Sequence, residues 1–224
     1  MQPYLFPYIG YWQLINSVDM FVIFDDVNFI KRGYINRNYI LIQGKSKLIT
    51  LELVKASQNK LIKEIEVGYN RDKLIKTIEM AYKRAPYFKK VFPLIVEILS
   101  NKEKNLVKFL SFSLEKISDY LKLNTMFIYS SDIKKDNRLK GQNKIIDICK
   151  KIGAKEYVNP IGGITLYKKE VFEKEEIKLK FLKSKKIEYK QFKNEFVPNL
   201  SIVDVMMFND KEKIGSFLKE YDLI

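Results

Sequence analysis

A chain of 224 residues with 46% hydrophobic side chains can bury a substantial core, which excludes a disordered polymer. Its 41 lysines and arginines outnumber 27 acids for a formal charge of +14, so an anionic partner is the first class to weigh. Cys149 is the single cysteine and histidine is absent, which excludes an internal disulfide, cysteine- or histidine-ligated zinc and any histidine triad.

Proton transfer is left to carboxylate, tyrosine, lysine, the lone thiol, substrate or water, and oxygen-ligated magnesium stays open. No apolar run approaches the ~18 residues of a bilayer span, and no basic segment leads into one, so a cytoplasmic protein without a membrane span is expected.

In chain order, residues 9–17 predict a short helix and residues 19–24 a buried strand, because Met20-Phe-Val-Ile-Phe24 is a continuous apolar run flanked by acids. Residues 25–38 read as loop. Residues 39–43 and 47–53 read as a hairpin turning at Gln43-Gly44-Lys45. Apolar spacing of three and four then predicts helices over 71–84, 86–100 and 103–123, the second started by Pro86. This block, 71–123, is expected to be a helical insertion or subdomain within a single domain covering 1–224.

Strand character returns at 125–129, followed by Ser130-Ser131-Asp132, a helix over 138–152 stopped by Gly153, a strand over 156–159 and the turn Asn159-Pro-Ile-Gly-Gly163. Strands near 177–181 and 188–191 and a helix over 201–208 complete the chain. The order predicts an α/β fold with a Rossmann-like, mostly parallel sheet, in which residues 21–24 and 125–129 are interior strands and ligands meet the carboxyl ends of strands.

Candidate chemistry clusters in the first forty residues. Pro3 and Pro7 stiffen Gln2 to Tyr11, and Gly10 permits close backbone approach, so Gln2, Tyr4 and Tyr8 would be presented from a rigid turn opening a helix. Leu5, Phe6 and Trp12 read instead as an aromatic plug. Asp25 and Asp26 end the buried strand, and either one could deprotonate an amine or hydroxyl. Lys31, Arg32 and Arg37 suit a phosphorylated or carboxylated ligand, with a surface ion-pair cluster as the plainer reading. Asn36 adds a neutral hydrogen-bonding group. Ser131, Asp132, Asn159 and Gly163 fall where an α/β sheet places its crevice, and turn chemistry alone also explains them. Ser201 and Asp204 resemble a capping box and are kept as further candidates.

Taken together, Gln2-Pro-Tyr-Leu-Phe-Pro-Tyr-Ile-Gly-Tyr11, Asp25-Asp-Val-Asn-Phe-Ile-Lys-Arg-Gly-Tyr-Ile-Asn-Arg-Asn38, Tyr129-Ser-Ser-Asp132, Asn159-Pro-Ile-Gly-Gly163 and Phe196-Val-Pro-Asn-Leu-Ser-Ile-Val-Asp204 resemble the WbqC-like protein family nearly end to end. Relatives usually carry a short strand before the Gln-Pro-Tyr motif, so a first strand is expected to be missing here or the start assigned too late. Tyr8-Ile-Gly-Tyr11 is also similar in spacing to the His-x-Gly-His motif of pantothenate synthetase-like nucleotidyltransferases. Tyrosines stand at both histidine positions, so this likeness implies a nucleotide-binding architecture without support for adenylyl transfer.

The family resemblance implies a role in O-antigen or other surface-polysaccharide biosynthesis. The expectation is a transferase that moves a small acyl or aminoacyl group onto a nucleotide-linked amino sugar, with a nucleotide or acyl donor as co-substrate. Asp25 or Asp26 would act on the amine, and Arg32 and Arg37 would hold phosphate or carboxylate. The alternative is a noncatalytic nucleotide- or nucleic-acid-binding protein, although much of the lysine excess lies along helical stretches where a solvated face is the plainer reading.

Overall fold

A computed structural model describes residues 1–193 and 195–224; Asn194, at the head of the segment leading to Ser201, lies outside the described residues. Helix α1 (Ile9–Asn16) starts where Tyr8 is still extended, and every residue from Gly10 to Ile15 is buried. Trp12 donates from its indole nitrogen to the Pro7 carbonyl at 3.0 Å, fixing the proline turn against the helix it opens. The chain enters β1 (Met20–Ile23), then the antiparallel hairpin β2 (Arg37–Ile42) and β3 (Lys45–Thr50). A two-residue pair, β4 (Leu53–Val54) with β5 (Glu66–Val67), follows.

Helices α2 (Arg71–Tyr82), α3 (Phe88–Ser100) and α4 (Leu106–Leu121) form the helical block, each burying one apolar stripe. Asn105 caps α4 by accepting from the Lys108 amide, and Lys122 ends it in the left-handed region at φ 59°. Helix α3 begins at Phe88 rather than at Pro86, because the chain first makes a turn in which the Ala85 amide bonds to the Tyr82 carbonyl.

Next come β6 (Met126–Tyr129), α5 (Gly141–Lys151), β7 (Glu156–Pro160), the short α6 (Lys169–Glu173) and β8 (Lys178–Ser184). Helices α7 (Ile202–Phe208) and α8 (Lys211–Phe217) and the edge strand β9 (Tyr221–Leu223) close the chain. No strand forms at 188–191; Tyr189 and Gln191 are instead committed by side-chain hydrogen bonds to α7. No helix among the described residues is long and apolar enough to cross a membrane.

The fold is mixed α/β, and its strands divide among small sheets rather than one large one. Strands β1 and β6 pair in parallel from Met20 opposite Met126 to Ile23 opposite Tyr129, forming a two-stranded sheet. A separate sheet has the order β7-β8-β9, with β7 and β8 parallel and β9 antiparallel. The expected single, mostly parallel Rossmann-like sheet is therefore not formed by these strands alone. The 21–24 and 125–129 strands do pair, but as a two-stranded sheet rather than as interior strands.

One continuous core runs from α1 and β1 through the hairpin, α2, α3, α4, α7 and α8. A smaller core around Ile146, Cys149, Phe172, Leu179 and Phe181 joins α5, α6 and β8. Between the β1 and β7 edges lies a cleft of about 750 Å³.

Candidate functional site

Parallel pairing brings the carboxyl ends of β1 and β6 to one level, so Asp25-Asp26 and Ser130-Ser131-Asp132 leave the sheet side by side. The two adjacent carboxylates then face different neighbours. Asp25, almost fully buried, accepts the Ser131 amide at 2.9 Å and the Ser131 hydroxyl at 2.6 Å, tying the two strand ends together.

Asp26 faces lysines. Lys135 Nζ lies 2.7 Å from Asp26 Oδ2 and Lys144 Nζ 3.6 Å from the same oxygen, with side-chain exposures of 1% and 12% against 8% for Asp26. Burial pushes the Asp26 carboxyl up, but hydrogen bonding and charge from Lys135, with Lys144 behind it, outweigh that and leave it below the ordinary carboxylate value. Lys135 also donates to the Ser130 carbonyl.

Lys144 stands beyond hydrogen-bond length from Asp26 and sits 5.2 Å from the centre of the Phe24 ring, so its three donors are uncommitted among the described residues. Asp26 Oδ1 is likewise buried and without a partner there. Phe24 also lines the β1–β7 cleft, together with Gln2, Tyr4 and Asn159. The acid–lysine cluster and the cleft thus meet at one aromatic ring.

Gln2 and Tyr4, which line the cleft, belong to the Gln2 to Tyr11 motif. Phe6 is buried with a positive φ of 44°, a conformation that costs a side-chain-bearing residue energy, and Asn38 holds it by donating to the Leu5 and Phe6 carbonyls at 3.1 and 2.8 Å. Tyr4 packs on Tyr11 and Tyr34 at ring distances of 5.4 and 6.1 Å. Burial, reinforced by neighbouring tyrosines, raises the phenols of Tyr4 and Tyr8, which suits both as hydrogen-bond donors and not as bases. Tyr8 is 40% exposed, and its backbone bridges to Ser201.

The remaining candidates fall in supporting positions. Arg37 donates to the carbonyls of Gly33 and Arg32, closing its own loop, and Asn36 donates to the Leu51 carbonyl at 2.8 Å. Lys31, Arg32 and Asp132 are exposed. Asn159 accepts from the Tyr157 hydroxyl and packs so tightly on Gly163 that a Cβ there would collide with its amide.

Ser201 caps α7 through the Val203 amide at 3.2 Å. Asp204 does not complete a capping box; it is buried and accepts from Tyr82, Tyr189 and Gln191 at 2.7–2.8 Å. Among the described residues no group of three or more cysteines and acids is placed to hold a metal ion.

Lys135 and Lys144 escaped the reading of the sequence because both sit in lysine-rich stretches. One signal was present: a lysine near the start of a helix opposes the helix dipole, and α5 (Gly141–Lys151) carries Lys144 as its fourth residue with no acid in its first turn.

Fold and site together define an α/β protein with a carboxylate–lysine cluster at the ends of parallel strands, adjoining an apolar cleft through Phe24. The chain belongs to the WbqC-like protein family, whose model matches residues 2–216. It is 27% identical over 219 residues to the uncharacterized protein Rv1507c of Mycobacterium tuberculosis (strain ATCC 25618 / H37Rv), an alignment covering 95% of this chain and 93% of the relative. No solved structure matches.

Proposed function

We propose that the protein is an enzyme of surface-polysaccharide biosynthesis that transfers a small acyl or aminoacyl group to the amine of a nucleotide-linked amino sugar. The observation that carries this reading is the pair formed by Lys144 and Asp26: ammonium donors without a hydrogen-bond partner among the described residues, beside a carboxylate and next to the Phe24 ring that lines the cleft. An amino sugar bearing phosphate needs both features. Lys144 offers charge to an anionic oxygen; in the transfer the amine nitrogen bonds to the acyl carbon, the donor's leaving group departs with the electron pair of the bond that breaks, and the Asp26 carboxylate takes the proton that the amine releases. Tyr4 and Gln2 supply neutral donors along the cleft and Tyr4 a flat wall for a ring, with Tyr8 as a further exposed donor on the same motif. The biosynthetic setting is what the resemblance to this family implies. A Rossmann-like relation between the two parallel strand pairs belongs to the same reading and accounts for a site at strand ends.

The experiment compares nucleoside diphosphate sugars carrying a free amine with their hydroxyl counterparts, by calorimetry and then by transfer assays with activated acyl donors. Amine-bearing sugars should bind more tightly. Lys144→Met should weaken both kinds at least about tenfold, and Asp26→Asn should erase the preference for the amine. Equal binding of both kinds by the unaltered protein would remove the amino-sugar assignment.

A further inference from the structure

Two half-exposed tyrosines, Tyr8 and Tyr34, are held more firmly than surface side chains need to be. The Tyr8 ring lies over Gly10, where an added Cβ would come within 2.6 Å of two ring carbons and the hydroxyl, so the glycine lets the ring fold back on the start of α1. Tyr34 is fixed through its backbone: the Leu5 amide bonds to the Tyr34 and Ile35 carbonyls at 3.3 and 3.1 Å, and Arg37 closes the loop on the Gly33 and Arg32 carbonyls. Phe6 and Arg32, one on each side of this junction, carry positive φ of 44° and 62°. Strain of that kind persists only where neighbours over-determine the backbone, and here it sets rings at the surface. Tyr4 joins them, its ring 6.1 Å from that of Tyr34 and tilted to it by 52°. Burial first, and then the nearness of Tyr8 and Tyr34, raises the Tyr4 phenol, and burial with Tyr34 raises that of Tyr8, so both keep their protons. Tyr11 spends its hydroxyl on the Gln2 carbonyl at 2.8 Å, whereas those of Tyr4, Tyr8 and Tyr34 have no hydrogen-bond partner among the described residues.

We propose that Tyr4, Tyr8 and Tyr34 form a nucleobase site, and that the base is a pyrimidine with two ring carbonyls, uracil or thymine. This rests on the reading of the substrate as a nucleotide-linked amino sugar and places its nucleoside half. A flat heterocycle can stack on one ring and meet the tilted next one edge to face, whereas a puckered sugar has no π face to offer. Uracil and thymine present two carbonyl acceptors to protonated phenols; cytosine replaces one of them with an amino donor. The position agrees. The Met1 carbonyl accepts from the Phe24 amide at 2.8 Å, so Tyr4 stands three residues, at most about 11 Å of chain, from the strand end where Phe24 adjoins Lys144. A nucleoside diphosphate bridges that interval, with its phosphates toward Lys144 and its sugar toward Asp26. Exposed Lys31 and Arg32, on the loop that carries Tyr34, favour the approach of such an anion.

The test is calorimetry of the full chain with uridine diphosphate, cytidine diphosphate and pyrophosphate, which share a diphosphate and differ in what it carries. Uridine diphosphate should bind at least about tenfold more tightly than pyrophosphate and about fivefold more tightly than cytidine diphosphate. Tyr34→Ala should weaken both nucleotides by between about fivefold and a hundredfold and leave pyrophosphate unchanged. The triple variant Tyr4→Phe, Tyr8→Phe, Tyr34→Phe keeps the rings, so it should retain stacking and erase the preference for uracil over cytosine. Thermal melts check that both variants stay folded. Pyrophosphate binding as tightly as uridine diphosphate, or nucleotide binding undiminished in Tyr34→Ala, would overturn the tyrosine site. Equal binding of the two nucleotides by the unaltered protein would overturn the choice of base. None of these results bears on the preference for an amine, whose loss would strike the amino-sugar reading alone.

Discussion

Asp25 and Asp26 are neighbours in sequence with separate tasks. Asp25 is saturated by two bonds from Ser131, so Asp25→Ala should cost about 1–3 kcal/mol in urea unfolding by leaving a buried amide and hydroxyl unpaired. Asp26→Asn keeps the shape of its group and should lower turnover about a hundredfold or more while the melt stays cooperative. Full turnover in both Asp25→Asn and Asp26→Asn, measured separately, would exclude carboxylate chemistry and leave the substrate or water to move the proton.

The same carboxyl makes a pH prediction. Its folded value lies below the ordinary carboxylate range, so its contribution to stability is complete above that range and is lost as pH falls through the folded value. Unfolding titrations down the acid limb should show this loss in the unaltered protein and not in Asp26→Asn. Arg37→Lys, in contrast, should loosen the loop that Arg37 closes more than it weakens an anionic ligand.

Among the elements, α2, α7 and β2 share one polar joint in the core. Tyr82 accepts from the Leu41 amide at 2.9 Å and donates to Asp204, which also holds Tyr189 and Gln191. Tyr82→Phe leaves the Leu41 amide and one Asp204 oxygen without that partner, and a loss of about 1–3 kcal/mol is expected from a denaturant series. Burial raises the Asp204 carboxyl despite its three donors. This is the reverse of Asp26: the folded state binds the proton more tightly than the unfolded one, so Asp204 favours folding more at pH values below its ordinary range than above its raised value.

The joint also explains which elements could be read beforehand. Helices α2, α3 and α4 carry their own periodicity, and the hairpin carries its turn, so local pattern sufficed. Tyr189 and Gln191 look like strand residues because both alternate with lysine, yet a buried carboxylate 13 positions or more away claims their side chains. Of the site, Asp25, Asp26, Ser131, Gln2 and Tyr4 were legible from their positions at strand ends and in a proline turn. Asn38 was not singled out, since its use depends on a carbonyl 33 residues away.

At the scale of the whole molecule, the charge of +14 is a property of the surface more than of the site. Many lysines lie exposed along the helices and edge strands, whereas Lys135 and Lys144 are enclosed. Retention on DNA or RNA should therefore appear at low salt, vanish by about 0.2 M and show no sequence preference. Binding that survives such salt would favour the nucleic-acid alternative over a small anionic substrate.

Trp12 is the one tryptophan of the chain, has no exposed surface and bonds its indole to the backbone of the proline turn. The protein thus carries an optical reporter at the base of its most distinctive motif. Native emission should be blue-shifted and poorly quenched by acrylamide, and the red shift on denaturation will time the release of α1 from Pro7. Stopped-flow traces of that signal, set beside far-ultraviolet dichroism of the helical block, will show whether the amino-terminal turn and α2–α4 come apart in one step.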